Sequence, residues 1–364
     1  MGMFDQVGAM GHEQVVFVQD KATGLRAIIA IHDTTLGPAL GGCRLWNYES
    51  DEDALTDVLR LSRGMTYKNA VAGLNLGGGK AVIIGDPKKV KSEALFRTFG
   101  RFINNLGGRY ITAEDVNINT QDMDYVAMET RYVSGLANRD GSGDPSPVTA
   151  LGVFHGIRAC VEHKLRRDNL HGLRVAVQGA GAVGRYLCGY LHAAGAQLVV
   201  ADIDDARVRS MAERYGAKVS DVKAIHTADV DVFAPCALGA VLNDKTIPEI
   251  KATIVAGGAN NQLADESRHG EQLREKGILY APDYVINAGG VINVFHELKG
   301  YNAEAAKRQA GSIYNTLLEV FAESERQGLP THKASDVVAE RRIQSMRAAV
   351  SLHHNYNNQL WLAR

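Results

Sequence analysis

Charge of one sign is what this sequence most lacks. Its 40 lysines and arginines meet 41 aspartates and glutamates, a formal charge of -1, so neither a nucleic acid nor an anionic membrane has an electrostatic reason to bind it. The partner to expect is a small molecule. Long apolar runs are also missing, none reaching the roughly 18 residues that span a bilayer. The opening Met1-Gly2-Met3-Phe4-Asp5-Gln6 has no basic stretch followed by an apolar one, so no export signal is read there. Cysteine is scarce. Cys43, Cys160, Cys188 and Cys236 stand far apart without a C-x-x-C or a nearby histidine pair, which argues against a disulfide framework and a zinc site alike. No metal is expected, and a reducing cytoplasm fits best.

What is present begins with Gln178-Gly179-Ala180-Gly181-Ala182-Val183-Gly184, a G-x-G-x-x-G directly after the apolar strand Leu173-Arg174-Val175-Ala176-Val177. The first glycine serves a tight turn, the second a close backbone approach to a pyrophosphate, and the third the packing of the following helix on the strand. A second strand, 197–201, ends in Asp202, eighteen residues after Gly184, where a carboxylate can accept from ribose hydroxyls. This is a dinucleotide site. Its carboxylate opposes a 2′-phosphate, and the next residue, Ile203, supplies no compensating arginine, so NAD rather than NADP is expected.

A chain of 364 residues exceeds one ordinary core, and the fingerprint lies near its middle, so two domains are expected. Strands at 15–18 and 25–31, with the turn 21–24 between them, a helix from Asp51 and another capped by Ser92 make an N-terminal mixed α/β domain over 1–140. The polar, Gly- and Pro-rich stretch 138–147 marks the boundary, before a helix starting near Val148. From 141 to 334 strands and helices alternate, with strands at 231–234, 253–256 and 278–280 and a helix over 206–215. This predicts a Rossmann-type, doubly wound parallel sheet. Residues 303–327 read as one long helix and 337–352 as another, with the segment from about 335 to 364 returning to the first domain.

The N-terminal domain carries the chemistry-bearing residues. Lys80 follows Gly77-Gly78-Gly79 and precedes the apolar Ala81-Val82-Ile83-Ile84. Two readings stand: a partly desolvated lysine whose lowered pKa suits acid–base work, or a surface lysine after a structural glycine-rich turn. A phosphate loop is excluded, because Leu74 stands where the first glycine is needed and Ala81 where Ser or Thr is needed. Arg109 to Val116 ends a short strand in Glu114-Asp115, where a carboxylate is either a proton relay beside a lysine or a solvated loop acid.

Several segments together resemble the glutamate, leucine, phenylalanine and valine dehydrogenases, the leucine-type branch most of all. They are Ile31 to Gly42, Met65 to Ala70, Leu76 to Ile84, Tyr110 to Val116, Asp144 to Thr149, Ala234 to Gly239, Ala259 to Leu263 and Ala281 to Gly290. The resemblance covers nearly the whole chain. It implies reversible oxidative deamination, in which an L-amino acid, NAD and water give a 2-oxo acid, ammonia and NADH. Lys68, with Gly41 and Gly42, would grip the substrate carboxylate; Lys80 would activate the attacking water, and Asp115 would exchange protons with the amino group. Asn260 and Asn261 would hold nicotinamide ribose and substrate between them, with Thr149 near the carboxamide. Ala182, Val183, Cys236, Ala237 and Asn287 complete the implied cofactor set. A homo-oligomer, an octamer by the family pattern, is implied as well.

Glutamate-specific relatives carry a lysine where this chain has Leu40 and a serine where it has Val294. With Met65, Ala113 and Val291 as further walls, the pocket is expected to be apolar, and β-branched Val291 to favour aliphatic side chains. Leucine, isoleucine and valine are the expected substrates. Asn117-Ile118-Asn119 and Phe295-His296 depart from the leucine-type pattern, which makes an aromatic amino acid, phenylalanine or tryptophan, the alternative. A dinucleotide-binding regulatory protein without catalysis is the competing class, against which Lys68, Lys80 and Asp115 together speak.

Overall fold

The computed structural model describes residues 2–136 and 143–357. The chain divides into two compact units, the first of residues 1–143, 297–301 and 339–364, the second of 144–296 and 302–338. Of the expected linker, residues 138–142 lie outside the described residues.

The first unit contains α1 (Met3–Ala9), β1 (Gln14–Asp20), β2 (Leu25–Asp33), β3 (Ala39–Trp46), α2 (Asp51–Val71), β4 (Gly77–Ile84), α3 (Pro87–Val90), α4 (Glu93–Asn104), β5 (Tyr110–Glu114) and α5 (Thr120–Ala127). Its strands form a mixed sheet in the order β1-β2-β4-β3-β5. β1 and β4 run antiparallel to β2, while β3 runs parallel to both β4 and β5. Leu95, Phe96, Phe99 and Ile103 of α4 close one face against Cys43, Leu45, Ala81 and Tyr110. Ala54, Leu55, Val58 and Leu59 of α2 pack on Ile28, Ala30 and Val82 of the other.

The second unit contains α6 (Ser146–Leu165), β6 (Arg174–Gln178), α7 (Ala182–Ala193), β7 (Gln197–Ala201), α8 (Asp205–Tyr215), β8 (Lys218–Val219), β9 (Val232–Pro235), β10 (Ile254–Val255), α9 (Glu266–Glu275), β11 (Leu279–Tyr280), α10 (Asp283–Ile286), α11 (Gly289–Glu297), α12 (Ala303–Gly311), α13 (Ile313–Gln327) and α14 (Thr331–Asn357), the last crossing into the first unit at Ala339. Its sheet runs β11-β10-β9-β6-β7-β8, all parallel. The strand order reverses between β6 and β9, so this is the doubly wound Rossmann arrangement, whose crevice lies beyond the carboxyl ends of those two strands.

Three local expectations need correction. The triple glycine is not a turn. Gly77, Gly78 and Gly79 are the first residues of β4, and Lys80 lies inside the strand. A Cβ on Gly78 would overlap the backbone nitrogen and hydroxyl of Thr66, so glycine lets α2 lie directly on the strand. Residues 303–327 are two helices, broken at Ser312. A Gly-Ser pair, Gly311-Ser312, sits at the break, and the Ser312 hydroxyl donates to the Gln309 carbonyl at 2.6 Å. The last helix starts at Thr331 rather than 337. Its Arg342 donates to the carbonyls of Ala70 (2.9 Å) and Leu74 (2.8 Å), satisfying acceptors at the end of α2.

Candidate active site

Paired residues of neighbouring strands point to the same side of a sheet. Leu40 pairs with Gly78 and Ile111, and Gly42 with Ala113; Arg44 pairs with Val82, two residues beyond Lys80. Leu40, Gly42, Arg44, Lys80 and Ala113 therefore share the α2 face, and Asp115 follows at the carboxyl end of β5. Lys80 is only 6 % exposed, and its Nζ lies 2.8 Å from Asp115 Oδ2. A buried ammonium needs such a partner. Burial raises the Asp115 carboxyl, but Lys80 and Arg44 outweigh it and hold the group below the usual carboxylate value.

Gly42 makes this approach possible: a Cβ there would stand 2.6 Å from the Glu114 carbonyl oxygen and 2.8 Å from the Asp115 Cβ. Beside it, a Cβ on Gly41 would meet Met65 Cγ at 3.3 Å, and the buried Tyr110 hydroxyl donates to the Gly41 carbonyl at 2.7 Å. Lys68 is half-buried in the last turn of α2. Asn69, next to it, donates to the Gly77 carbonyl at 2.6 Å and fixes that turn on β4. Leu40 is buried, and Met65 and Ala113 are partly so.

In the second unit, Gly179 has φ 101°, a left-handed position that favours glycine. A Cβ on Gly184 would overlap the Gly179 carbonyl, so the third glycine serves helix–strand packing. Ala182 and Val183 open α7. Asp202 Oδ2 accepts from the Ala180 amide at 2.6 Å, and Oδ1 from Asp204 N at 2.9 Å. The carboxylate is thus pinned to the fingerprint backbone, and its remaining lone pairs can still accept. Ile203 is 90 % exposed. Across the switch point, Cys236 N donates to Gln178 O at 2.7 Å, and Ala237 Cβ would stand 2.9 Å from a Cβ on Gly179. Burial pushes the Cys236 thiol up to about 11, which suits packing rather than reactivity.

Asn287 Nδ2 donates to Asn260 Oδ1 at 2.6 Å. Asn261 adopts φ 50°, and buried Gln262 donates to the carbonyls of Gly257 and Ala259, fixing the loop. Thr149 Oγ1 donates to Pro145 O at 3.0 Å and lies against Gly290. Val291 is buried and Val294 half-buried in α11. An open cavity of about 400 Å³ lies beside the fingerprint, lined by Ala180, Gly181, Ala182, Arg185, Arg207 and Ser210 among others. Among the described residues no cluster of His, Cys, Asp or Glu could hold a metal ion, and no helix is long and apolar enough to cross a membrane.

Sequence reasoning missed Arg44, Asp57 and Tyr48, which join the lysine–aspartate pair. Period-two alternation from Gly42 is the one signal that places Arg44 beside it. The two departures from the leucine-type pattern have packing roles. Asn117, at φ 61°, donates to Leu45 O at 3.0 Å, Ile118 is buried, and Asn119 caps α5. Phe295 is buried, and His296 Nε2 lies 2.9 Å from Gln309 Oε1.

Residues 12–132 match the family model described as Glu/Leu/Phe/Val dehydrogenase, dimerisation domain, and residues 141–207 and 201–350 match that of Glutamate/Leucine/Phenylalanine/Valine dehydrogenase. Leucine dehydrogenase of Geobacillus stearothermophilus is 56 % identical over 96 % of each chain, and L-tryptophan dehydrogenase of Nostoc punctiforme 50 % identical over 96 % of this chain and 99 % of its own. The crystal structure of L-tryptophan dehydrogenase from Nostoc punctiforme superposes with TM-score 0.88 at 49 % identity, over 95 % of this chain and 100 % of that one. A hetero-hexameric glutamate dehydrogenase from Thermus thermophilus, at TM-score 0.74 and 23 % identity over 94 % of this chain and 90 % of its own, shares the fold. A Rossmann unit joined to a unit of this kind, with such relatives, defines an oxidoreductase of the amino acid dehydrogenase class. The chain belongs to the glutamate/leucine/phenylalanine/valine dehydrogenase family.

Proposed function

We propose that the protein catalyses NAD-dependent, reversible oxidative deamination of branched-chain aliphatic L-amino acids, leucine first, with isoleucine and valine as further substrates. The observation that carries the reading is the ion pair of buried Lys80 with half-buried Asp115, on a sheet face that also presents the apolar Leu40 and Ala113. Lys68 is assigned to the substrate carboxylate, with Gly41 and Gly42 beside it; a point cation there orients the substrate. Lys80, in its neutral form, takes the proton from the attacking water, which adds to the imine carbon. Asp115 removes the amino proton, so that the amine is neutral when hydride leaves Cα, and returns a proton to the departing ammonia.

The second unit fits a dinucleotide. A Cβ on Gly181 would meet nothing within 4 Å among the described residues, so none of them requires glycine there, whereas a pyrophosphate brought onto the backbone would. Gly179, Gly181, Ala182, Val183 and Gly184 would hold it, Asp202 and Ile203 the adenosine end, and Thr149, Cys236, Ala237, Asn260 and Asn287 the nicotinamide end. When bound, the nicotinamide accepts the hydride. Asn261, Val291 and Val294 are assigned to substrate selection. We place the enzyme in the cytoplasm, which its free, buried or half-buried cysteines suit, and assign it a homo-oligomeric state, an octamer by resemblance.

The test is kcat/KM with NAD for leucine, isoleucine, valine, phenylalanine, tryptophan and glutamate. The aliphatic three should lead at graded rates, since one methylene changes binding by only about 1–3 kcal/mol. Glutamate should be rejected, because its buried carboxylate would lack a partner against Leu40. A preference for phenylalanine, tryptophan or glutamate would overturn the substrate assignment.

A further inference from the structure

Asp115 is not held by Lys80 alone. Both cationic contacts fall on one oxygen: Lys80 Nζ at 2.8 Å and Arg44 Nε at 3.2 Å, each to Oδ2. Oδ1 is thereby left for proton exchange. Arg44 is itself fixed from its far end, where Nη1 lies 2.9 Å from Asp57 Oδ2, the same oxygen that accepts from the Tyr48 hydroxyl at 2.7 Å. Arg60 adds a longer contact to Asp57 at 3.6 Å. A chain thus runs Tyr48–Asp57–Arg44–Asp115–Lys80, from the loop after β3 to α2, back to β3, on to the residue after β5 and so to β4. The Arg44 side chain is 22 % exposed and Asp57 15 %, so water screens the chain only in part.

We propose that Arg44, anchored by Asp57, is a positioning residue for the reaction: it fixes which oxygen of Asp115 faces Lys80 and keeps the carboxylate ionised and in place for proton exchange with the substrate amine. The fork of the guanidinium suits this task, because it reaches two carboxylates through different nitrogens at a fixed angle, which an ammonium cannot do. The inference rests on the assignment of Lys80 and Asp115 to proton transfer. The charged and titratable groups around the carboxylate are Lys80 from β4, Arg44 and Cys43 from β3, and Tyr110 from β5; the buried thiol and phenol stay neutral, since burial raises both. Among the described residues, Lys80 and Arg44 are the cations that hold this carboxyl low against the effect of burial.

The experiment compares wild type, Arg44→Gln, Arg44→Lys, Asp57→Asn and, as a control on the underlying assignment, Lys80→Ala, all as full-length enzyme with NAD and leucine. Arg44→Gln should lower kcat roughly 10- to 100-fold with the KM for leucine within about threefold, as for a group that orders proton transfer without holding substrate. The acid limb of its pH profile should move to higher pH, because Asp115 loses one of its two cations. Arg44→Lys should return the acid limb close to wild type while kcat stays depressed, separating charge from geometry. Asp57→Asn, which keeps the shape and removes the anchor's charge, should show a smaller loss of kcat. NADH affinity and Tm report folding. Arg44→Gln with wild-type kcat and pH profile overturns the proposal, as does a loss of activity wholly matched by lost folding in Arg44→Gln while Asp57→Asn, still folded, retains wild-type kcat. Failure of the underlying assignment appears separately, as a Lys80→Ala enzyme that keeps its turnover.

Discussion

At the scale of single residues, position outweighs identity. Lys80 and Asp115 are ordinary residue types set apart by burial and by their ion pair, and Asp202 is set apart by its place just after β7. Its carboxylate, pinned to the Ala180 and Asp204 amides, cannot swing away from an incoming ribose. Arg207, a cation close by in the sequence, is engaged 3.2 Å from Asp204. A 2′-phosphate would thus meet like charge, which costs several kcal/mol. Wild type should show kcat/KM about a hundredfold or more higher for NAD than for NADP, and Asp202→Ala should narrow that ratio. Equal values for the two cofactors in wild type would refute the role given to Asp202.

At the scale of elements, what the sequence revealed and what it hid follow from the range of the interactions. The β6–α7–β7 unit was legible because its apolar strands, turn glycines and terminal acid lie within 30 residues and each obeys a local rule. The purpose of Gly77-Gly78-Gly79 was not, because it is set by α2, whose Thr66 lies against Gly78 only in the folded state. Arg44 escaped for the same reason: Asp115 is 71 positions away. The break at Ser312 is invisible to periodicity, since the apolar pattern continues through it. The packing of α2 on β4 gives a direct prediction. Gly78→Ala should lower stability by about 1–3 kcal/mol through overpacking. It should also reduce kcat/KM for leucine, because α2 carries Lys68 and Met65. Measured by denaturant titration and kinetics, a variant with unchanged stability would show that the helix tolerates a methyl group there.

At the scale of the whole molecule, histidines that are half-buried or buried bear on acid stability. Burial lowers His12 and His332 to about 4, with His32 also acting on His12 and Lys333 on His332. Burial depresses His32, His155 and His163 as well. In each case the native state binds fewer protons than the unfolded chain once the pH drops below the ordinary histidine value. Stability is therefore full above about pH 6.5 and falls as the pH drops toward 4. The depressed Asp115 adds a loss at still lower pH, since its contribution is present above the ordinary carboxylate value and disappears as the pH falls through the lowered one. Melting curves should show Tm falling by several degrees between pH 7 and pH 5; a flat profile would mean that those histidines are reached by water in the native state.

The central claim is that an amino acid is deaminated by a lysine–aspartate pair, its lysine buried, on the α2 face of the first unit. Its most direct test is the turnover of Lys80→Ala with leucine and NAD, measured beside the affinity of the same variant for NADH. Because the fingerprint belongs to the other unit, NADH binding should stay close to wild type while kcat falls about a hundredfold or more, as expected when a positioned acid–base group is removed. A variant that binds NADH normally and keeps most of its turnover would contradict the account.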